Sequence, residues 1–320
     1  MKLAGIHHVS AITKDAVKNH HFFTHILGMR LVKKSVNQDS PSTYHLFYAD
    51  AVGTPGTDMT YFDIPMAGKT YPGVSSISST GFRIQSKEAY DFWYDRLTSF
   101  KVPNVKKSEA FGRPVIYFED FEGSRLHLVV DEGVGIPYGE PWVTPEISEA
   151  FAIVGLGPSY VTVRHAERTV ATLTDILGFV KAGSYPSDVP NMPDVEVLTT
   201  GKGGPAGEVH VYTRTDLPPE RPGRGSVHHV AFRIPNMEDY PKWQERLTKA
   251  GYQTSGLVDR YYFKSIYFRE PSGILYELAT DEPGFATDEH LEKLGEQLAL
   301  PPFLEGKRQE IEAKLRPLTF

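Results

Sequence analysis

Two histidine pairs and one glutamate, each set in a strand-like apolar run, are the residues of this 320-residue chain best suited to chemistry. Ile6-His7-His8-Val9 and Val227-His228-His229-Val230 share one pattern, and Gly273-Ile274-Leu275-Tyr276-Glu277-Leu278 sets an acid among apolar neighbours. An ionised carboxylate buried in such a run is costly unless it is paired or metal-bound. Two neutral imidazoles and one carboxylate on a common face make the facial triad of iron(II) oxygenases, which leaves coordination positions open for substrate and dioxygen. Successive strand side chains point to opposite faces, so each histidine pair is expected to supply one ligand. Val9 and Val230 flank the second histidine of each pair identically, which favours His8 and His229 beside Glu277.

Other polar groupings fall away on inspection. His21 and His25 are four residues apart on a helical stretch beside His20, but no Glu completes a His-Glu-x-x-His motif, and a solvated helix face is the simpler reading. Gly201-Lys202-Gly203-Gly204 lacks the Ser or Thr after its lysine and leads into no helix, so it is a turn and not a phosphate loop. The absence of cysteine removes thiolate metal sites, iron–sulfur clusters and cysteine nucleophiles. A net charge of −6 offers no basic footprint for nucleic acid. No apolar run approaches the roughly 20 residues of a membrane span, and the stretch from Met1 to Thr13 has no signal-peptide core. Forty per cent hydrophobic residues suffice for a core without staples. The expectation is a cytoplasmic protein with a small-molecule partner and no nucleic-acid or membrane partner.

The elements that must position these groups come from internal repetition. At an offset of 150 residues, Thr24, Ile26, Leu27 and Gly28 match Thr174, Ile176, Leu177 and Gly178, and Phe82-Arg83-Ile84 matches Phe232-Arg233-Ile234. Ile116-Tyr117-Phe118 matches Ile266-Tyr267-Phe268, and Gly123, Leu128, Asp131 and Glu132 match Gly273, Leu278, Asp281 and Glu282. Each half divides again into a β-rich run (Ile6–Ile12, Ser79–Ile84, Tyr160–Arg164, Val227–Ile234) and a helix-spaced stretch (Asp15–Leu27, Lys87–Phe100, Glu167–Leu177, Met237–Ala250). Gly28, Gly178 and Gly251 sit where C-terminal helix caps belong, and further strand-like runs such as Tyr44–Tyr48, Met59–Asp63, Ser265–Phe268 and Leu275–Ala279 complete the units. The expected fold is α+β: four βαβββ modules paired into two domains, with residues 1–131 and 151–282 holding two modules each. Residues 132–150 form a linker, and 283–320 a C-terminal helical extension, with Asp288–Leu298 and Lys307–Leu315 as its helices. The extension is expected to cover a pocket mouth or to form a subunit contact in a homo-oligomer.

These residues resemble the vicinal oxygen chelate superfamily over about residues 1–285, and within it the ring-cleaving extradiol-type dioxygenases, above all hydroquinone 1,2-dioxygenases. The most specific stretch runs from Asp259 through Arg260, Tyr261, Tyr262, Phe263, Lys264, Ser265, Ile266, Tyr267 and Phe268 to Arg269, followed by Pro271-Ser272-Gly273 and Glu277. The resemblance implies His8, His229 and Glu277 as ligands of iron(II), with manganese(II) the alternative. It implies dioxygen and a small aromatic diol as substrates. It gives His228, Arg260 and Tyr267 roles in orienting substrate or moving protons: Arg260 stabilising anionic oxygen, Tyr267 or His228 acting as acid or base. His7 takes a neighbouring role, and Ser10 stands where those enzymes carry threonine. The repeat adds an internal control: His229 aligns with Ser79, Glu277 with His127, and no histidine lies between Ile153 and Val163 where His8 maps. One site per chain is expected, so the first and fourth modules must pack together, whereas many relatives draw their ligands from the third and fourth. The pocket loops are expected from Asn37–Ser42 and Pro186–Pro205. Two rival functions remain at this level. One is a glyoxalase-like lyase or isomerase, which usually shows an extra carboxylate, and the other is a non-catalytic quinone-binding protein, which usually lacks the ligands.

Overall fold

The computed structural model describes residues 1–318. Alternating apolar positions build four β-α-β-β-β modules in sequence. The first comprises β1 (Ile6–Thr13), α1 (Ala16–His21), β2 (Arg30–Asn37), β3 (Ser40–Ala49) and β4 (Asp58–Asp63). The second comprises β5 (Ser76–Ile84), α2 (Lys87–Ser99), β6 (Lys106–Ala110), β7 (Arg113–Glu119) and β8 (Arg125–Val130). The third comprises β9 (Leu156–Val163), α3 (Ala166–Ala171), β10 (Val180–Tyr185), β11 (Val195–Thr199) and β12 (Glu208–Thr213). The fourth comprises β13 (Val227–Ile234), α4 (Tyr240–Lys249), β14 (Val258–Asp259), β15 (Lys264–Arg269) and β16 (Leu275–Thr280). Two short helices follow, α5 (Pro302–Glu305) and α6 (Arg308–Lys314).

Two eight-stranded sheets result, in the orders β14-β15-β16-β13-β1-β4-β3-β2 and β10-β11-β12-β9-β5-β8-β7-β6. The first joins modules one and four, the second modules two and three, the pairing expected from the placing of His8, His229 and Glu277. Each half of the sequence therefore contributes one module to each sheet. One face of the first sheet packs on helices: Val230, Phe232 and Ile234 share a core with Trp243 and Leu247 of α4. The opposite face carries His8, Ser10 and His229 along a cavity.

Local differences from the sequence expectations have physical causes. The stretches Asp15–Leu27 and Glu167–Leu177 are not continuous α-helix; each ends in a π-turn, Phe22–Ile26 and Thr172–Ile176. The wider bonds Leu27 N–H to Phe22 O (3.0 Å) and Leu177 N–H to Thr172 O (3.1 Å) close these turns. Thr24 and Thr174 hydroxyls bond back to the carbonyls four residues earlier. Gly28, Gly178 and Gly251 cap the helical stretches at positive φ, as expected. Asp288–Leu298 is not a helix but holds a single 3₁₀ turn at Leu291–Lys293. There the chain instead runs along the sheet edge, where Leu298 bridges Lys34 of β2 and Ala299 N–H bonds to Lys34 O. This covers an edge strand that would otherwise offer unpaired backbone groups.

Phe232 is fully buried, with the rings of Phe179 and Tyr276 5.1 and 5.3 Å away. Phe232→Ala is expected to cost about 3–5 kcal/mol in urea unfolding. A loss below about 1 kcal/mol would mean that the helix-side core is not packed as described.

Candidate metal centre

Strand register brings the three donors together. Modules one and four meet along β1 and β13, antiparallel, with Val9 opposite Val230, His8 opposite Ala231 and Ser10 opposite His229. On the far side of β13, β16 runs parallel and sets Glu277 beside Ala231. His8 Nε2, His229 Nε2 and Glu277 Oε2 then converge: 3.3 Å between the nitrogens, and 3.1 and 2.8 Å from them to the oxygen. Among the described residues this is the one His/Asp/Glu group with metal-site spacing, and all three residues are buried.

Simple alternation does not hold within the histidine pairs. The β1–β13 ladder skips His7 between Ile6 and His8, and skips His228 between His229 and Val227. Each is the extra residue of a β-bulge, which re-aims its side chain. The bulges bring His7 Nδ1 to 2.9 Å from His8 Nδ1, and His228 Nδ1 to 2.8 Å from His229 Nδ1. His7 Nε2–H donates to Thr280 O at 3.1 Å, so its Nδ1 is left as an acceptor. His8 must then carry its proton on Nδ1, which leaves Nε2 as a bare lone pair toward Glu277 and His229. This tautomer follows from the hydrogen-bond network. Burial first, then the neighbouring His8, pushes the pKa of His7 well below the ordinary imidazole value and keeps it neutral.

The carboxylate is prepared in the same way. Ser265 hydroxyl donates to Oε1, while Oε2 is buried and receives no well-directed hydrogen bond from either imidazole despite their closeness. Burial pushes the Glu277 pKa up, but His8 and His229 outweigh it and hold the group well below the usual carboxylate range. Burial lowers the His229 pKa against the pull of Glu277. Two imidazole lone pairs and one unpartnered carboxylate oxygen, 2.8–3.3 Å apart, suit adjacent positions around one divalent ion at bond lengths of about 2.1 Å. The residues present fit a metal.

A cavity of about 310 Å³ opens onto His8 and His229, and Ser10, His228, Arg260 and Tyr267 all line it. His7 does not; it lies behind His8, against the Phe263 ring. Asn37, Gln38 and Asp39 contribute to the wall, whereas nothing from 186–205 does, because that insertion belongs to the other sheet. Arg260 bridges Asp39 (2.8 Å) and the Tyr267 hydroxyl (3.3 Å). Its burial is outweighed by Asp39 and Tyr267, which raise its pKa further. Burial, then the charge of Glu277, raises the Tyr267 pKa and keeps the phenol protonated. Sequence reasoning missed His45 and Thr60, and it named Phe263 and Ser265 only within the signature stretch, with no role of their own. Ser10 bonds to Thr60 (2.7 Å) and Thr60 to His45 Nε2 (2.9 Å), a polar chain along one wall. Strand alternation in Tyr44–Tyr48 was the available signal for His45. A larger cavity of about 730 Å³ between the N-terminal segment, the linker and Trp243 lies away from the three donors and has neither histidine nor carboxylate in its lining.

The second sheet shows what replaces the site. Ser79 bonds to His127 at 2.8 Å, as their alignment with His229 and Glu277 places them, and Pro158 stands at the position of His8. His127 stacks on Tyr160, and Tyr160 on His210, with centroids 4.2 and 4.8 Å apart.

The profile of the family described as Glyoxalase/Bleomycin resistance protein/Dioxygenase superfamily matches residues 5–128 and 154–278. A Bacillus subtilis (strain 168) protein provisionally named ring-cleaving dioxygenase MhqA is 49% identical over 318 residues, covering 99% of this chain and 100% of its own. The chlorohydroquinone/hydroquinone 1,2-dioxygenase of Sphingobium indicum is 28% identical over 318 residues, or 97% of this chain and 95% of that protein. A crystal structure from Bacillus subtilis subsp. subtilis str. 168, provisionally titled a dioxygenase, superposes with a TM-score of 0.91 at 34% identity, covering 99% of this chain and 98% of that one.

Two expectations follow. His7→Leu removes the acceptor that fixes the His8 tautomer and should weaken metal binding about 10–100-fold in equilibrium dialysis; unchanged affinity would free His7 of that role. Because the pKa of His229 lies below the ordinary imidazole value of about 6.5 and that of Glu277 below the carboxylate range, protons compete poorly for these ligands. Bound metal should therefore stay constant from pH 8 to about 6 and be lost only on further acidification. Loss already between pH 8 and about 7 would contradict that order.

Proposed function

The chain belongs to the Glyoxalase/Bleomycin resistance protein/Dioxygenase superfamily, and from that premise we propose that it is a ring-cleaving dioxygenase opening a hydroquinone- or catechol-like ring at an iron(II) centre of extradiol type. The observation that carries the reading is the convergence of His8, His229 and Glu277, with Oε2 free of hydrogen bonds, at a cavity large enough for one aromatic ring. His8, His229 and Glu277 would hold the metal, iron(II) in this reading with manganese(II) the alternative. Bound there, the ion supplies a Lewis acid that lowers a phenol pKa and a redox partner for dioxygen.

The surrounding residues perform the rest. Arg260, fixed between Asp39 and Tyr267, stabilises negative charge developing on a ring oxygen. Tyr267 keeps its proton at neutral pH and donates or returns it. The pKa of His228 is pressed to about 4 by burial and then by His229. Its Nδ1 is tied to His229, so its Nε2–H is the group left to bond a substrate oxygen. Ile12, Phe62, Phe263 and Leu275 supply apolar wall that excludes water from the ring. We assign residues 1–131 and 151–282 as the two duplicated domains, with 132–150 joining them and 283–320 appended.

The non-redox lyase or isomerase reading lacks its usual extra carboxylate, since no second acid joins the cluster among the described residues. Anaerobically iron(II)-loaded protein is expected to consume dioxygen with hydroquinones or catechols and yield a ring-opened chromophore, while His229→Ala does neither. One bound metal per chain with no uptake on any diphenol would favour the lyase or isomerase.

A further inference from the structure

Lys33 of β2 is fully buried, on the face of the first sheet away from the helices, and among the described residues the hydrogen-bond partners of its ammonium lie in the C-terminal extension. Nζ donates to Phe285 O (3.0 Å), to Asp288 Oδ1 (2.6 Å) and to Glu289. Both carboxylates are mostly buried, with side-chain exposures of 19% and 13%. A charge so placed ties the extension to the sheet, because withdrawing residues 285–289 would strand it without compensation.

The same knot holds one loop of the metal cavity. The Lys33 ammonium sits 4.6 Å from the centre of the Tyr262 ring, and the Tyr262 hydroxyl donates to the second oxygen of Asp288 at 2.8 Å. Gly284 N–H bonds to Tyr262 O at 2.9 Å, and Phe285 packs on the Tyr262 ring. Tyr262 belongs to a tight turn: Tyr261 is left-handed at φ 71°, and Arg260 N–H bonds to Phe263 O. A non-glycine residue in that region persists only where its surroundings impose it. The turn presents Arg260 to the cavity on one side. On the other it presents Phe263, whose ring centre is 5.0 Å from that of His8.

We propose that residues 283–289 and Lys33 form a strut that sets the position of the 260–263 turn. In this arrangement Lys33, Tyr262 and Asp288 are positioning residues that fix how large a ring substituent fits beside His8. The substrate part of this inference rests on the ring-cleaving reading; the strut itself does not.

The test compares full-length, metal-loaded wild type with Tyr262→Phe and Asp288→Asn, and with Lys314→Ala, which alters only an exposed pair in α6. Amide exchange of residues 260–263 should rise about tenfold in the first two variants and not in Lys314→Ala, as befits loss of one charge-assisted hydrogen bond. Metal content should hold, kcat for hydroquinone should fall, and discrimination between hydroquinone and 2-tert-butylhydroquinone should narrow by about tenfold. Asp288→Glu, which keeps charge and acceptor, should recover part of both effects. Unchanged exchange in the turn overturns the strut. Raised exchange with unchanged discrimination overturns the positioning role. If wild type turns over no diphenol, the ring-cleaving reading fails, and the exchange experiment still decides the strut.

Discussion

Everything at the candidate metal centre depends on the antiparallel seam between β1 and β13, where Val9 faces Val230. That pairing joins modules separated by most of the chain, so the loop-closure cost is met by a continuous eight-stranded sheet and not by local contacts. A one-residue slip would turn His8 and His229 onto the helix face and Val9 and Val230 into the cavity. The apolar residues that pack on α4 therefore fix the register that aims the three candidate donors. Stability and site geometry share one constraint.

Within that seam, the bulges add what a regular ladder cannot. A regular strand would hold His7 and His228 away from their neighbours, and the ligand rings would be free to choose either tautomer. As bulge residues they reach back, Nδ1 to Nδ1, and His7 passes the choice on to a backbone carbonyl of Thr280. The carboxylate is treated alike, with Ser265 occupying one oxygen and the other left bare. The outcome is three lone pairs directed inward in a buried site, an arrangement that favours a cation over protons.

Much of this was legible in the sequence. The 150-residue offset exposes the duplication, and the distribution of His8, His229 and Glu277 calls for modules one and four to pack together, as they do. The bulges were not legible, because a skipped residue is a property of two strands in register and neither His7 nor His228 carries a glycine or proline to mark it. The π-turns were hidden for a related reason: a single extra residue in a helix leaves the apolar pattern nearly intact. Within the extension, Lys307–Leu315 forms a helix (α6, Arg308–Lys314) as expected, whereas Asp288–Leu298 does not: Asp288 and Glu289 suit the first turn of a helix, but in the fold they are spent on Lys33, a partner more than 250 residues away in sequence.

The second sheet shows how the equivalent position is built where the triad is absent. With Pro158 and Ser79 in place of two ligands, a buried glutamate at position 127 would have kept its desolvation cost and lost both imidazoles that hold Glu277 ionised. His127 is neutral instead, its pKa lowered first by burial and then by His210 and Arg113. It bonds to Ser79 and stacks on Tyr160, which stands where the first sheet has the small Ser10. Gly81 completes the exchange, since a Cβ there would lie 2.6 Å from His127 Nε2, whereas its counterpart Ala231 sits beside Glu277 without crowding a ring. One sheet is thus closed by neutral packing, while the other holds a buried polar arrangement whose donor set suits a cation.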